Sequence, residues 1–166
     1  MTPEYCRLMA RYNAWQNDEL RRSVEGVPSD VLDADRGAFF GSIRETLNHL
    51  LWADLLWMNR FDGGPGPTVD AADHTKITVN MPAWWADRFR TDGRIQLWAE
   101  ELKALDLVGD LVWYAPIAGR EMHKPIAPCI VGFFNHQTHH RGQVHAMLTA
   151  AGHTTDDTDL ILMPED

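Results

Sequence analysis

The sequence predicts an all-α fold, a four-helix bundle with long connections and a short β-hairpin before the last long helix. Apolar residues recur at three- and four-residue spacing in four long segments, and start or stop signals for helices bound those segments. Only one stretch, close to residue 118, has β-favouring runs on both sides of a turn signal. The 166 residues suit a single domain, 1–166, because a chain of this length buries roughly 70% of its unfolded surface.

The first two helices are marked by their N-terminal capping residues. Thr2 caps the first helix, with Pro3 at the first helical position, and the helix should end near Gly26. Ser42 and Glu45 form a capping box that opens the second helix, which should reach about residue 60. Residues 49–58 of that helix are apolar nearly all round, which favours the middle of a bundle or an oligomer interface.

The third helix is the least sharply bounded. Gly, Pro, Asp and Thr dominate residues 61–79, which are expected to form a long surface loop, and a helix follows between Pro82 and Leu107. Its predicted buried face carries Trp98, Leu102 and Leu105.

The last third of the chain combines a hairpin with a long helix. Residues 111–126 should form the hairpin, turning at Gly119. Pro128 then starts a fourth helix that should continue to Ala150 and stop at Gly152.

Composition excludes several classes of protein. The formal charge is -9 and only three lysines are present, so a phosphate-binding surface for nucleic acid is not expected. No run of about 18 apolar residues is present, so we expect no membrane partner. Cys6 and Cys129 lie far apart, which suits a reducing cytoplasm and argues against a cysteine-type zinc site.

Three histidines fall within five residues near the end of the chain. On a helix, His136 and His140 lie one turn apart on the same face, with His139 about 60° to one side. His145 lies at about 180° and should face away. Imidazole is a common ligand for zinc, nickel and iron, so the pair indicates half of a metal site.

His49 is the strongest candidate for a third ligand. It lies within the most apolar helix, where a buried imidazole needs either a metal or a hydrogen-bond partner such as a backbone carbonyl. We expect His74 to be a solvated residue of the 61–79 loop, and His123 to lie near the mouth of the site. His153 follows the end of the helix and should complement its carbonyl groups.

Polar neighbours of the histidine pair have several open roles. His139 is a fourth ligand, a base beside the metal, or a structural residue bonded to a neighbouring helix. Arg141 and Gln143 either orient ligands and bind an anionic group or form ordinary salt bridges and hydrogen bonds.

Three segments resemble the DinB/YfiT-like metalloenzyme family. These are the His-x-x-His-His-Arg-Gly-Gln run at 136–143 with its following apolar stretch, the buried His49 in residues 47–51, and the Tyr-Asn-Ala-Trp run at 12–15. The resemblance implies a four-helix bundle, a homodimer, and a divalent metal held by His49, His136 and His140. It also implies kinship with transferases and isomerases that use thiols such as mycothiol, bacillithiol or glutathione.

Three imidazole ligands leave an open position on the metal, which favours chemistry over scaffolding. We expect zinc first, with nickel, iron or manganese as alternatives. The leading hypothesis is a metal-dependent S-transferase that joins a low-molecular-weight thiol cosubstrate to small electrophiles, with His139 and Arg141 as catalytic residues. The alternatives are a metal-hydroxide hydrolase of a small substrate and a non-enzymatic, metal-binding, stress-associated dimer.

Overall fold

The structure is a computed structural model that describes residues 1–165, and at residue 117 only the backbone. Four long helices dominate it, which confirms the predicted helical bundle. A short helix and a two-stranded antiparallel hairpin complete the regular structure. The helices are α1 (Pro3–Val24), α2 (Ser29–Asp33), α3 (Ile43–Asp62), α4 (Met81–Glu101) and α5 (Ile126–Ala150), and the strands are β1 (Asp110–Ala115) and β2 (Arg120–Pro125). Short 3₁₀ segments span Ala71–Lys76, Ala104–Leu107, Pro116–Ala118 and Leu160–Leu162.

Side-chain caps fix where the long helices begin. The Thr2 hydroxyl accepts from the Tyr5 N–H (3.3 Å), and the Ser42 hydroxyl accepts from the Glu45 N–H (3.2 Å), as the capping box predicts. The Asn80 side chain accepts from the Ala83 N–H (2.9 Å) and so starts α4 one residue before Pro82.

The predicted place of Leu105 on the buried face of the third helix is wrong. The helix stops at Glu101, and Leu105, which was expected on its buried face, lies beyond it and is 81% exposed. The cause is local, because the Asp106 carboxylate accepts from the Lys103 N–H (2.9 Å) and starts a separate 3₁₀ turn. Trp98 is buried as expected.

Two other boundaries differ from the sequence prediction. The five-residue helix α2 was missed because it is too short to show a period, although Leu32 in it is buried. Helix α5 begins at Ile126, so Pro128 lies in its first turn, where a missing N–H costs no intrahelical bond. The hairpin is confirmed, and Gly119 takes the left-handed conformation at its turn (φ 63°).

The core consists of two apolar clusters at different heights of the bundle. Helix α1 packs on α4 and α5, and α3 packs on the same two helices. One cluster contains Met58, Ile95 and Phe133, and the other contains Leu47 and Leu148. Buried polar residues separate the clusters along all four helices: Asn13, Gln16, Asn17, Asp54, Arg88, Thr91, Asp92, Gln137, His140 and Arg141. None of the helices within residues 1–165 is long and apolar enough to cross a membrane.

Candidate metal centre

Three histidines from two helices converge at the rim of the core. His49 extends from α3, and His136 and His140 lie one turn apart on α5. The Nε2 atoms of His49 and His136 are 3.1 Å apart, and one ligand nitrogen from each of the three residues lies within 4.8 Å of the others. We call these three residues the histidine cluster. The predicted pair and the predicted third residue therefore come together in space.

The ring of His140 is oriented by its own helix. Its Nδ1 lies 2.7 Å from the Oε1 atom of Gln143, an oxygen that can only accept a hydrogen bond. The His140 proton must therefore be on Nδ1, which leaves the lone pair on Nε2. Such a partner fixes the tautomer that a metal ligand needs.

The cluster is held in the neutral form that metal binding requires. Burial, followed by the charges that His136 and the other neighbouring imidazoles would carry, lowers the pKa of His49 to about 3. Burial, followed by the charges that His140 and His139 would carry, lowers the pKa of His136 to about 4, and burial also lowers the pKa of His140. At neutral pH all three rings therefore offer lone pairs without competition from protons.

The spacing of the nitrogens fits a small divalent ion. Tetrahedral zinc with Zn–N bonds of about 2.0–2.1 Å places its ligand nitrogens about 3.3–3.4 Å apart. The His49–His136 separation of 3.1 Å is close to that value, and the third nitrogen lies within 4.8 Å of the other two. Two facing lone pairs at this distance repel each other unless a cation or a proton lies between them.

Phe40 covers one side of the histidine cluster. Its ring centroid lies 3.9 Å from that of His49 and 5.1 Å from that of His140. Phe40 belongs to the connection between α2 and α3, two residues before the Ser42 cap. The sequence prediction did not identify this residue, because an aromatic residue in a connection has no periodic signal.

His74 is the clearest error of the sequence prediction. It was expected to be a solvated loop residue, but it is half-buried, and its Nδ1 lies 2.9 Å from the Nδ1 of His49. The ring also lies near Phe40 and Trp52, at centroid distances of 5.2 and 5.8 Å. Contact between a loop and a helix leaves no spacing pattern, so the sequence could not have shown this approach.

None of the four remaining histidines belongs to the histidine cluster. His139 is exposed, with its ring centroid 4.8 Å from that of His140. His145 is exposed and bonded to Thr155 (3.1 Å), which confirms that it faces away. His123 is exposed and pairs with the Glu121 carboxylate (2.7 Å). The backbone N–H of His153 donates to the Leu148 carbonyl (3.0 Å) at the end of α5.

Arg141 is only 7% exposed and lies within the polar layer of the bundle. Its Nη2 donates to the Gln16 amide oxygen (2.8 Å), and its Nη1 donates to the amide oxygens of Gln137 (2.9 Å) and Asn13. Burial lowers its pKa to about 10, so it stays protonated at neutral pH. These contacts connect α1 to the residue that follows His136.

Three further buried charges complete this layer. The Arg88 guanidinium binds the carboxylates of Asp54 (2.5 Å) and Asp92 (2.8 Å). The Gln137 amide also donates to Asp54, and the Asn17 amide donates to Asp92 (2.9 Å). Burial raises the pKa of Asp54 to about 6, against the opposing effect of Arg88. We call Asp54, Arg88, Asp92 and Arg141 the buried ion network. In the sequence, the one signal for this network is Asp54, a charged residue within an otherwise apolar segment of α3.

Comparison with known proteins agrees with this architecture. The profile described as the DinB family matches residues 1–165. The protein named Protein DinB of Bacillus subtilis (strain 168) is 26% identical over 160 residues, which covers 94% of this chain and 91% of that relative. A match of this extent includes all four long helices and the three converging histidines. The chain therefore belongs to the DinB family.

Proposed function

We propose that the protein binds one divalent metal ion through His49, His136 and His140, and that it uses this ion to transfer a low-molecular-weight thiol to small electrophiles. The observation that carries the proposal is the convergence of three neutral imidazole nitrogens from two helices. Closed structural zinc sites normally have four protein ligands, whereas catalytic sites have three and an open position. A three-histidine set therefore favours chemistry.

The nature of the donors favours zinc. Imidazole nitrogen suits zinc, copper, iron and nickel, whereas oxygen donors suit magnesium, calcium and manganese. The ligands on offer are all nitrogen, and no carboxylate belongs to the three-residue group among the described residues. We therefore place zinc first, with nickel and iron ahead of manganese.

The nucleophile is proposed to come from outside the protein. Cys6 is fully buried and Cys129 is 8% exposed, and burial raises the pKa of both thiols. Neither is a ready thiolate at neutral pH. When bound, a divalent ion would supply Lewis acidity, which lowers the pKa of a small thiol or of water towards neutrality.

The transfer needs a base for the thiol proton, and it needs the metal ligands to be held in position. The sulfur of the small thiol forms a bond to the electrophilic carbon, the leaving group departs with its electron pair, and the thiol proton passes to a base. We assign the proton to His139, because its ring is exposed and adjacent to His140. The contacts of Arg141 favour a positioning role, in which it holds Gln137 and thus the turn of α5 that carries His136.

The first experiment measures the metal. The purified protein should contain about one divalent ion per chain by elemental analysis, and His49→Ala, His136→Ala and His140→Ala should each abolish it. His145→Ala is the matched control, because His145 lies on the same helix as two of the ligands but faces away. Undiminished metal in His49→Ala would contradict the assigned triad.

The second experiment measures the reaction. Metal-loaded and chelated protein are compared for consumption of mycothiol, bacillithiol and glutathione with a panel of small electrophiles. Thiol consumption that needs the metal and falls in His139→Ala supports the proposal, and equal rates with and without metal contradict it. Metal-dependent cleavage of activated esters without thiol would indicate a hydrolase, and inactivity in both assays a non-enzymatic metal protein. Light scattering tests whether the protein forms the homodimer that the family resemblance implies.

A further inference from the structure

We propose that His74 is a positioning residue for the metal centre: it accepts a hydrogen bond from His49 and thereby fixes the His49 tautomer that presents Nε2 to the metal. This inference rests on the metal site proposed above. It assigns a role to the 61–79 loop, which contributes no residue to the histidine cluster itself.

The tautomer follows from the two neighbours of the His49 ring. On one side, His49 Nε2 faces His136 Nε2 at 3.1 Å, so Nε2 is the nitrogen directed at the cluster. On the other side, His49 Nδ1 faces His74 Nδ1 at 2.9 Å. A neutral imidazole has one N–H and one lone pair. If His49 keeps its lone pair on Nε2, its proton is on Nδ1, and His74 must accept that proton with a bare Nδ1.

This arrangement matches the usual support of a metal-binding histidine. Such residues almost always donate their second ring N–H to an acceptor, which holds the ring in place and raises its basicity. A carboxylate or a carbonyl is the common acceptor, and here an imidazole nitrogen occupies that position. Because His74 meets the ring at Nδ1 and not at Nε2, it lies behind His49 with respect to the cluster.

The loop that carries His74 is fastened to α3 on both sides of this contact. After His74, the Asn48 amide donates to the carbonyls of Thr75 (2.9 Å) and Thr78 (3.2 Å), and the Thr78 hydroxyl donates back to Asn48 (2.6 Å). Before it, the Trp52 indole N–H donates to the Val69 carbonyl (2.9 Å). Asn48, next to His49, and Trp52, one turn further along α3, therefore hold the loop that carries His74 in place.

Two substitutions separate the acceptor from the ring. In His74→Asn the side-chain oxygen takes the position of Nδ1, so the acceptor is kept and the ring is lost. In His74→Phe the ring that packs near Phe40 and Trp52 is kept and the acceptor is lost. His123→Phe makes the same exchange at an exposed histidine of the hairpin and serves as the control.

The probe is Co²⁺, added to metal-free protein in competition with a chelator. We expect His74→Phe to weaken Co²⁺ binding about 10- to 100-fold, the usual effect of losing such a partner. His74→Asn should bind close to wild type, and His123→Phe should match it. The visible absorption of bound Co²⁺, which reports coordination geometry, should change in His74→Phe and not in His74→Asn. Circular dichroism checks that each variant is folded.

Two results would overturn the inference. Wild-type affinity in His74→Phe would show that ring packing is sufficient. An Asn variant as weak as the Phe variant would show that the acceptor is not what matters, and would indicate direct ligation by His74. Failure of the wild-type protein to bind Co²⁺ would instead contradict the metal site itself, so the two proposals fail in distinguishable ways.

Discussion

The histidine cluster and the buried ion network are both polar regions inside the same bundle, but their groups are satisfied in different ways. The network sets two carboxylates against two guanidinium groups, and amide side chains of α1 and α5 bind the charges that remain. The cluster instead brings together rings of one kind, whose nitrogens face one another. Burial and the neighbouring imidazoles lower the pKa of His49, and no carboxylate among the described residues opposes them.

This difference favours a structural role for the buried ion network and a metal-binding role for the histidine cluster. In the network, buried groups of opposite charge bind each other, although the Nε atoms of Arg88 and Arg141 have no hydrogen-bond partner among the described residues, and polar contacts of this layer join all four helices. Buried imidazoles that repel one another when charged, and that turn lone pairs towards one another when neutral, are suited to bind a cation. Perturbed pKa values alone would not distinguish the two regions, because Asp54 is shifted as clearly as the histidines.

The largest expected effect is on the network. Arg88→Met leaves the Asp54 and Asp92 carboxylates buried without their shared cation, and should lower the free energy of unfolding by about 3–5 kcal/mol. Urea denaturation of the metal-free protein measures this loss. The deficit should shrink as the pH falls towards 5, because burial already raises the pKa values of both carboxyls and protonation removes the stranded charges.

Arg90→Met is the matched control on the same helix. Arg90 is exposed and pairs with Asp87 one turn away, and such surface pairs contribute about 0–1 kcal/mol. Equal destabilisation by the two substitutions would mean that the network does not stabilise the fold as its burial indicates.

The second-largest expected effect is the stabilisation by a bound metal ion, which should depend on the histidine cluster and not on the buried ion network. A metal ion that binds only the folded state at about one hundred times its Kd should add about 2.7 kcal/mol to the free energy of unfolding. His136→Ala should lose this increment, and Arg88→Met should keep it despite its lower baseline. Denaturation with and without Zn²⁺ measures both. An increment that persists in His136→Ala would place the metal elsewhere.

The sequence indicated all three residues of the histidine cluster, because their signals are local or periodic. His136 and His140 are one helical turn apart, and His49 lies in the most apolar helix, so spacing and burial were both readable. Phe40 and His74 were not found, because each reaches the cluster from an irregular connection. Their placement depends on contacts such as Asn48 with the loop, which no spacing encodes.

The network was missed for a related reason. Its members lie on three helices, α3, α4 and α5, and Arg88 and Asp92 each resemble an ordinary polar position in the sequence. Only the shared height of Asp54, Arg88 and Gln137 in the assembled bundle makes them a layer. Helix boundaries were predicted closely at Thr2 and Ser42, where a cap fixes them, and only loosely at Glu101, which a local 3₁₀ turn follows.

A third prediction uses pH to isolate the cluster in the metal-free protein. The pKa values of His49 and His136 are about 3 and 4 in the folded state, against 6.5 for a free histidine. Below pH 6.5 these two histidines therefore bind protons in the unfolded chain but not in the folded protein. Stability from these groups is complete above about pH 6.5 and declines as the pH falls towards 4.

His136→Gln provides the comparison for this pH dependence. The variant should lose less stability than the wild type between pH 7 and pH 5, whereas His123→Gln, altered at an exposed ring, should follow the wild type. Parallel curves for wild type and His136→Gln would show that the cluster is not held neutral.

The smallest expected effect tests whether stability and metal binding are independent. Ser42→Ala removes the cap of α3, in which the hydroxyl accepts from the Glu45 N–H (3.2 Å) and donates to the Glu45 carboxylate (3.1 Å), and should cost about 1 kcal/mol. Thr2→Ala at the exposed start of α1 should cost less. Zn²⁺ affinity should be unchanged in both, since His49 lies about two turns inside α3. Weaker binding in Ser42→Ala alone would mean that the start of α3, with Phe40 just before it, helps to shape the site.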